Sequence, residues 1–447
     1  MFTKVEKKLS GPQLMALGFF ILIFIGALLL MLPFASRDGQ STPFLTCLFT
    51  STSASCVTGL ILVDTFSHWT LFGQLVILTL IQIGGLGFIT FGVILSILMH
   101  KKIGLRQRGL IQESVNALQL RGVVRLTTRL VKGTLLFEGI GAFILSIRFI
   151  PELGVLRGIY YGVFHSISAF CNGGFDLMGR FAPFSSLTRY VEDPIVNLTI
   201  IALILLGGLG FIVWNDLYQN GLHFRKYSLH TKLVLTGTFV LVFGGALGFY
   251  LLEKDQLFSD LSANGKILAS FFCAVTPRTA GFNTVNNAAM SDAAKFLTTI
   301  FMFIGGCPGS TAGGVKVTTI IVLLLHLKST LTRTYGCNVF QRRLEPNTVE
   351  RATAFFCTNL FIGITATLII CRSQHSDLAD TLFEVTSAIS TVGMSAGLTA
   401  SLSTFSKLVI IFLMYIGRLG SLSFALAFFT KKKIAHVQLP VEKISIG

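Results

Sequence analysis

Four short apolar stretches of this 447-residue chain each run into a glycine-centred turn, and this repetition limits the possible folds more than any other feature. The turns are Val57-Thr58-Gly59-Leu60, Asn172-Gly173-Gly174-Phe175, Thr279-Ala280-Gly281-Phe282 and Thr391-Val392-Gly393-Met394. Their central glycines lie 115, 107 and 112 residues apart, each turn between two longer apolar segments. One such turn would be an ordinary turn. Four in register predict four pseudo-repeats around one pore.

The composition and the long uncharged runs predict a membrane protein. Hydrophobic residues make up 52% of the chain and charged residues only 13%, whereas soluble proteins carry about 25% charged residues. A spanning helix needs roughly 20 mostly apolar residues, and we predict eight spans. They lie at or near 12–36, 69–99, 133–147, 195–213, 233–252, 296–325, 352–371 and 408–429. The segment 133–147 is short and is expected to extend on both sides. The run at 12–36 lacks a small-residue cleavage site, so we interpret it as a first span rather than a signal peptide.

A shorter apolar piece lies between the two spans of each repeat, at 43–56, 157–171, 264–275 and 378–391. As helices these pieces would be about 18–22 Å long, too short to cross roughly 30 Å of hydrocarbon. We therefore predict that they re-enter the membrane and end in irregular backbone that lines a watery cavity. The fold class is an all-α membrane protein with eight transmembrane helices and four re-entrant pore helices. The predicted boundaries are a cytoplasmic N-terminus at 1–11, pore repeats at 12–100, 101–220, 221–330 and 331–430, and a cytoplasmic tail at 431–447.

The basic residues are distributed asymmetrically between the two sides of the predicted membrane. The chain termini and the linkers 100–132, 214–232 and 326–351 hold 23 of the 36 Lys and Arg residues, and the opposite side holds 10. The positive-inside rule therefore predicts that both termini and all three linkers are cytoplasmic, in a multi-pass protein of the cell membrane. This topology accounts for the net charge of +16 without nucleic acid as a partner.

The glycine turns follow the C-terminal ends of the predicted short helices, where unpaired carbonyl groups carry partial negative charge. Glycine allows the backbone to turn carbonyls toward an axis and adds no bulk. Rings of carbonyls that replace a hydration shell are how potassium filters work. The turns therefore predict a site for a dehydrated monovalent cation. The first three residues of each turn are the candidate ligands: Val57, Thr58, Gly59, Asn172, Gly173, Gly174, Thr279, Ala280, Gly281, Thr391, Val392 and Gly393.

A second motif recurs in the later helix of each repeat, at 83–87, 206–210, 304–308 and 416–420. In the first two repeats its glycines are explained by close helix packing. In the third repeat it becomes a Gly/Pro-rich loop that cannot remain a regular helix. This predicted gate comprises Gly305, Gly306, Cys307, Pro308, Gly309, Ser310, Thr311, Ala312, Gly313 and Gly314. The nearby Lys316 lacks the Gly-Lys-Ser/Thr context of a phosphate-binding loop, and we expect it to extend toward the cytoplasm.

Two arginines stand at membrane depth beside these motifs. Arg418 replaces a glycine of the second motif in the fourth repeat. An intramembrane arginine usually faces a cavity or a polar partner. One interpretation is a structural ion pair with Glu384 or Glu138, and the other is a gate in which Arg418 donates to carbonyls of the 305–314 loop. Arg278 precedes the third turn, and we expect it to point away from the cation and support the turn through Glu384 or backbone carbonyls. The alternative is that Arg278 tunes conductance directly.

At these residues the chain resembles the Trk/Ktr/HKT superfamily of potassium transporters, most closely the KtrB-type membrane subunit, over nearly its whole length. The turns at 57–60 and 276–282, the 305–316 loop and the segment 417–420 carry the resemblance. It implies a homodimer in which each chain has one pore, one filter glycine per repeat (Gly59, Gly174, Gly281 and Gly393), a gating loop at 305–314 and a gating arginine at Arg418. In plant relatives a serine at the first filter position goes with sodium transport, so the glycine here favours potassium.

The resemblance also implies a separate cytoplasmic ring of nucleotide-binding regulatory subunits of the KtrA or TrkA kind. No cofactor is expected on this chain itself, and nucleotide is expected on the partner only. The sequence of the 305–314 loop is closer to that of the Trk branch, whereas the chain length fits the Ktr branch. Both kinds of regulatory subunit therefore stay open as partners. Potassium is the expected cargo, and sodium is a candidate activator or symported ion.

Two other classes of function were weighed. A helix broken at the membrane midplane also occurs in alternating-access secondary transporters, although four re-entrant segments favour a channel-like protein. We see no Ser/His/Asp, paired-carboxylate or metal-binding pattern at a common depth, and the eight cysteines lack paired spacing. The sequence therefore does not indicate an enzyme.

Overall fold

The structure is a computed structural model that describes residues 11–87, 123–334 and 336–421 and the single positions 109, 440 and 442. Four long helices begin the four predicted repeats: α1 (Gly11–Leu30), α5 (Val123–Leu153), α9 (Leu229–Glu253) and α13 (Pro346–Gln374). The segment at 133–147 extends on both sides, as expected, to form α5. These helices carry large apolar side chains on their outer surfaces, such as Phe239 and Leu247 at 61% exposure each, as helices facing lipid do.

Short helices are present at all four positions predicted for re-entrant segments. They are α2 (Phe44–Ser55), α6 (Val155–Phe170), α10 (Ala263–Val275) and α14 (Leu378–Ile389). Side-chain caps help to start two of them: Ser262 accepts a hydrogen bond from Gly265 N at 3.1 Å, and Asp377 accepts one from Ala379 N at 3.0 Å. Such caps contribute about 1 kcal/mol each.

The second helices of the repeats are α4 (Leu71–Leu86), α7 (Pro194–Gly208), α11 (Asp292–Ile304) and α15 (Thr404–Leu419). After α7 and α11 the chain continues into α8 (Phe211–Asn220) and α12 (Val317–Leu331). The remaining elements are a one-turn helix α3 (Thr65–His68), six short 3₁₀ turns and an antiparallel pair of strands, β1 (Asn338–Val339) and β2 (Arg342–Arg343).

The second helices end at or beside a glycine in all four repeats, whereas the sequence predicts a break only in the third. The predicted span at 195–213 is wrong as a single helix, because α7 and α8 meet at an angle of 96°. Gly87, Gly210, Gly305 and Gly420 all have positive φ, between 61° and 93°, at the ends of α4, α7, α11 and α15. Such a conformation suits glycine and ends a helix. The further parts of the predicted spans at 69–99 and 408–429 lie outside the described residues, as do the terminus 1–10 and most of the linker 100–132.

Among the described residues, four helices are long and apolar enough to cross a membrane, and a fifth is added if the bent pair α7–α8 counts as one span. The largest buried cluster joins α1, α2 and α4 to α6 and α7, and it extends to Phe272 and Phe282 near the third glycine turn. The core therefore encloses the ends of the short helices and holds the glycine turns at the centre of the molecule.

Candidate functional site

The four glycine turns converge into a closed ring at the centre of the fold. A carbon atom at the Cβ position of each central glycine would lie only 2.0–2.7 Å from a carbonyl oxygen of a neighbouring turn. In order around the ring, each glycine lies against one carbonyl oxygen: Gly59 against the oxygen of Gly173, Gly174 against the oxygen of Ala280, Gly281 against the oxygen of Val392, and Gly393 against the oxygen of Thr58. The first turn thus contacts the second, the second the third, the third the fourth, and the fourth the first.

The backbone of each turn has an unusual conformation at a residue that is not glycine. Val57, Asn172, Thr279 and Thr391, each two positions before the central glycine, have φ of 56°, 59°, 73° and 51°. Left-handed backbone at a β-branched residue such as Val57, Thr279 or Thr391 costs about 1–3 kcal/mol and persists only where its surroundings enforce it, whereas asparagine adopts it more readily. The same conformation at four equivalent positions, three of them strained, indicates a functional constraint. Val and Thr give no sequence signal of this conformation.

Buried serines on the last turns of three short helices hold the turns in place. The carbonyl of Ser53 accepts a hydrogen bond from Thr58 N at 2.7 Å, and the hydroxyl of Ser53 accepts one from Gly59 N at 3.0 Å. Ser387 does the same for Val392 N (2.8 Å) and Gly393 N (3.0 Å). Ser168 accepts from Gly173 N at 2.6 Å. These bonds occupy the N–H groups of the turns and leave carbonyl oxygens for the ring. The sequence signal was a serine six residues before three of the four glycines.

The second glycine motif brings the later helices against the ends of the short helices. A Cβ atom at Gly84, Gly207 or Gly417 would lie 1.9–2.2 Å from a backbone oxygen at the end of α2, α6 or α14, respectively. Close packing of small residues was the expected role of this motif in the first two repeats, and the structure has it in the fourth as well.

The loop at 305–316 lies against the second and fourth repeats. Cys307 N donates to the carbonyl of Gly208 at 3.1 Å, and Gly309 accepts from Phe211 N at 2.8 Å. Thr311 Oγ1 donates to the carbonyl of Gly207 at 3.2 Å. On the other side, a Cβ atom at Gly313 would collide with Thr391 of the fourth turn, and one at Gly314 would collide with Ser390, the residue before it. The loop therefore lies directly beside the ring.

Arg418 joins this loop to the first repeat. Its Nη1 donates to the carbonyl of Thr311, and its Nη2 donates to the carbonyls of Gly84 and, at 3.1 Å, Gly85. The structure thus has the contact with the 305–314 loop that the gating interpretation requires. The alternative ion pairs with Glu384 or Glu138 are absent among the described residues, because Glu384 accepts instead from the hydroxyls of Ser395 and Thr399.

Two expectations for basic side chains are wrong. Arg278 contacts Thr238 Oγ1 and Cys307 Sγ instead of Glu384 or a backbone carbonyl. Lys316 turns back to donate to the carbonyls of Ala312 at 2.7 Å and Gly313 at 2.9 Å, so it does not extend away from the loop. In both cases the loop supplies a nearby acceptor that the sequence spacing does not reveal.

A cavity of about 810 Å³ adjoins the loop. Pro308, Gly309 and Ser310 line it together with residues at the ends of α4, α8 and α15, namely Gly87, Phe211 and Gly420. Arg418 and Lys316 also line it. The loop therefore borders this cavity as well as the ring.

Asp176 lies in the loop that follows the second turn, outside the predicted spans. Its carboxylate accepts from Met178 N at 2.9 Å. Burial, with the charge of Asp64 as a further cause, raises the pKa of Asp176 from 3.8 to about 7. The folded protein therefore keeps a proton that the unfolded chain loses above pH 3.8, so folding stability falls as pH rises toward 7.

Replacing Asp176 with asparagine removes this cost while an amide oxygen still accepts from Met178 N. We expect Asp176→Asn to raise the melting temperature of the purified protein by about 2 °C more at pH 8 than at pH 5. Thermal unfolding in detergent at the two pH values measures the difference. An equal effect at both would contradict the shifted pKa. A matched control is Asp260→Asn, at an exposed site.

The enclosed ring and the lipid-compatible surfaces of the long helices define a multi-pass helical membrane protein with backbone carbonyls at its centre. The sequence of the chain also matches known proteins of this class. The chain belongs to the TrkH family, described as cation transport proteins, whose profile matches residues 13–436.

Individual relatives match over almost the whole chain. The chain is 40% identical to the potassium/sodium uptake protein NtpJ of Enterococcus hirae, covering 100% of this chain and 99% of that protein. It is also 40% identical to the Ktr system potassium uptake protein B of Bacillus subtilis, covering 98% and 97%. The crystal structure of the potassium transporter TrkH from Vibrio parahaemolyticus has the same fold, with a TM-score of 0.74 at 20% identity over 94% of this chain and 85% of that one. The expected resemblance is thereby confirmed.

Proposed function

We propose that this protein takes up potassium ions through the carbonyl ring formed by its four glycine turns. The observation that carries the proposal is the closed order of contacts from Gly59 through Gly174 and Gly281 to Gly393. A ring of carbonyls can replace the water around a dehydrated cation, and its partial negative charge excludes anions. The names of the relatives, which refer to uptake of potassium or of potassium and sodium, support this choice of ion.

The proposed architecture is eight spanning helices and four re-entrant helices, in pore repeats at 12–100, 101–220, 221–330 and 331–430. The order of long helix, short helix, glycine turn and second helix supports four repeats. We place both termini in the cytoplasm of a cell-membrane protein, because the basic linkers lie on the same side as the termini in this topology.

The proposed gate is the 305–314 loop with Arg418. Because a partly buried arginine at membrane depth needs hydrogen-bond acceptors, its bonds to Thr311 and Gly84 stabilise the loop beside the ring. Movement of the loop would connect the ring with the 810 Å³ cavity. Arg278 is a support for the third turn rather than a ligand of the ion.

The proposed assembly is a homodimer associated with a separate cytoplasmic ring of nucleotide-binding subunits of the KtrA or TrkA kind. The name of the Bacillus subtilis relative, which refers to a Ktr system, supports a regulatory partner. We propose no catalytic activity and no cofactor on this chain. Sodium is proposed as an activator or symported ion, in line with the name of the Enterococcus hirae relative.

Complementation tests this function directly. A strain that lacks its potassium uptake systems should grow at low external potassium when it expresses this chain with its regulatory partner, with and without added sodium. Absence of growth, with the protein present in the membrane, would reject potassium uptake.

An alternating-access transporter is the second candidate, and the bend between α7 and α8 and the loop between α11 and α12 favour it. The two mechanisms differ in turnover. Single-channel currents carrying many ions per opening support conduction through a filter, whereas slow, strictly coupled transport would support alternating access.

Replacing the first ring glycine with serine tests which ion the ring selects. A Cβ atom at Gly59 would lie 2.7 Å from the oxygen of Gly173, so the ring must widen there. We expect Gly59→Ser to lower the potassium-to-sodium uptake ratio by about tenfold, the change that corresponds to about 1.4 kcal/mol. Paired uptake measurements with the two ions provide the ratio. An unchanged ratio would contradict the assignment of Gly59 to the filter.

A further inference from the structure

Three side chains meet behind the third glycine turn, and each belongs to a different element of the third repeat. Arg278 Nη2 contacts Thr238 Oγ1 of α9 at 3.2 Å and Cys307 Sγ of the loop at 3.7 Å. Thr238 Oγ1 and Cys307 Sγ are themselves 3.7 Å apart. The first helix, the filter turn and the loop of this repeat are thereby joined at one point.

The guanidinium of Arg278 is sensitive to these contacts because it is buried. Arg278 is only 4% exposed, and its Nε and Nη1 have no hydrogen-bond partner among the described residues. A buried charge is strongly destabilised when it loses a partner. A change at Cys307 or Thr238 would therefore move the guanidinium toward other acceptors.

A movement of Arg278 would reach the ring. Arg278 is the residue directly before Thr279, and its carbonyl lies 3.5 Å from Asn172 Nδ2 of the second turn. The same Nδ2 donates to Thr279 Oγ1 at 3.1 Å. The position of Arg278 thus affects two of the four segments that form the ring.

Cys307 is itself part of the loop. It is fully buried, its N–H donates to the carbonyl of Gly208 at 3.1 Å, and it lies four residues before Thr311, to which Arg418 donates. Displacement of the loop from the second and fourth repeats would separate Cys307 from Arg278.

We propose that Cys307 is a positioning residue that couples the loop to the filter through Arg278, so that displacement of the loop changes cation selectivity as well as flux. This inference rests on the proposed function of the ring and the loop. It assigns Cys307 no contact with the ion, and it gives the third repeat a side-chain connection between gate and filter.

The test compares potassium and sodium uptake by variants with matched shapes. Cys307→Val fills similar space without a polar partner, and Cys307→Ser keeps one. We expect Cys307→Val to lower the potassium-to-sodium ratio by about threefold or more, within the range of measured couplings between sites. Cys307→Ser should keep the wild-type ratio, and so should Cys357→Val, which changes an exposed thiol on α13.

A double variant separates coupling from local packing. In the Arg418→Ala background the loop has lost its link to the first repeat, so Cys307→Val should change the ratio less than it does in the wild-type background. Equal changes in both backgrounds would mean that Cys307 acts only on local packing and would overturn the proposal.

The outcomes distinguish this inference from the function on which it rests. If the wild-type protein takes up no potassium, the proposed function fails. If it takes up potassium selectively and Cys307→Val leaves the ratio unchanged, the function stands and the coupling is rejected. If Cys307→Val does not reach the membrane, Thr238→Val tests the same contact, and an unchanged ratio there rejects the coupling as well.

Discussion

Gly393→Ala should abolish potassium uptake. The added Cβ would lie 2.0 Å from the oxygen of Thr58 and 2.8 Å from Cα of Gly59. Both neighbours are backbone atoms of the ring, so they cannot rotate away as a flexible side chain would. Gly393 also has φ of +92°, which an alanine rarely adopts. Displacements of about 1 Å in a site that positions its ligand this closely cost on the order of 100-fold in rate.

The chain offers a matched control for this substitution four residues further on. Gly397 has φ of +103°, and a Cβ atom there would meet nothing within 4 Å. Gly397→Ala therefore introduces similar backbone strain without a clash, and most of the uptake should remain. The measurement is initial potassium uptake at equal amounts of protein in the membrane. Loss of uptake in both variants would show that strain alone explains the effect, and retention in both would remove Gly393 from the filter.

Arg418→Ala should increase potassium flux. The substitution removes the hydrogen bonds from Arg418 to Thr311, Gly84 and Gly85. Hydrogen bonds to a charged group contribute roughly 1.5–3 kcal/mol each, so the loss of one that favours the closed loop shifts the equilibrium by about tenfold or more. Flux in the absence of the regulatory partner, where the closed state should dominate, gives the largest difference from wild type.

Arg418→Lys separates charge from geometry. A lysine keeps the positive charge, but it cannot present two donors in a planar fork to acceptors in two repeats. We expect its flux to lie between those of wild type and Arg418→Ala. Lys407→Ala, near the other end of α15, is the control for removal of a charge and should leave flux unchanged. Wild-type flux in a correctly assembled Arg418→Ala protein would exclude the gating role.

Several features of the fold could be predicted from the sequence because they depend on local composition. Apolar runs must be helical in a membrane, since unpaired backbone groups are costly in hydrocarbon. The short helices before Gly59, Gly174, Gly281 and Gly393 are at the predicted positions for this reason. The family followed from the residues around these turns and is confirmed by the match over residues 13–436.

Other features could not be predicted, because they depend on contacts between distant residues. The 96° bend between α7 and α8 arises where Gly210 meets the loop oxygen of Pro308, almost 100 positions away. Likewise, Arg278 and Glu384 are both charged residues at membrane depth. Arg278 contacts Cys307, and Glu384 accepts from Thr399. The spacing of these residues along the sequence does not reveal which side chains pack together.

The apolar helices and the four recurring glycine turns follow from the amino-acid sequence, because hydrophobicity and the conformational freedom of glycine act locally. The closure of these turns into a ring and the hydrogen bonds from Arg418 to Thr311, Gly84 and Gly85 depend on the three-dimensional arrangement of the chain. The same is true of the left-handed backbone at Val57, Asn172, Thr279 and Thr391. Strained conformations and charges at membrane depth are tolerated only where distant segments supply the packing and the acceptors that offset their cost.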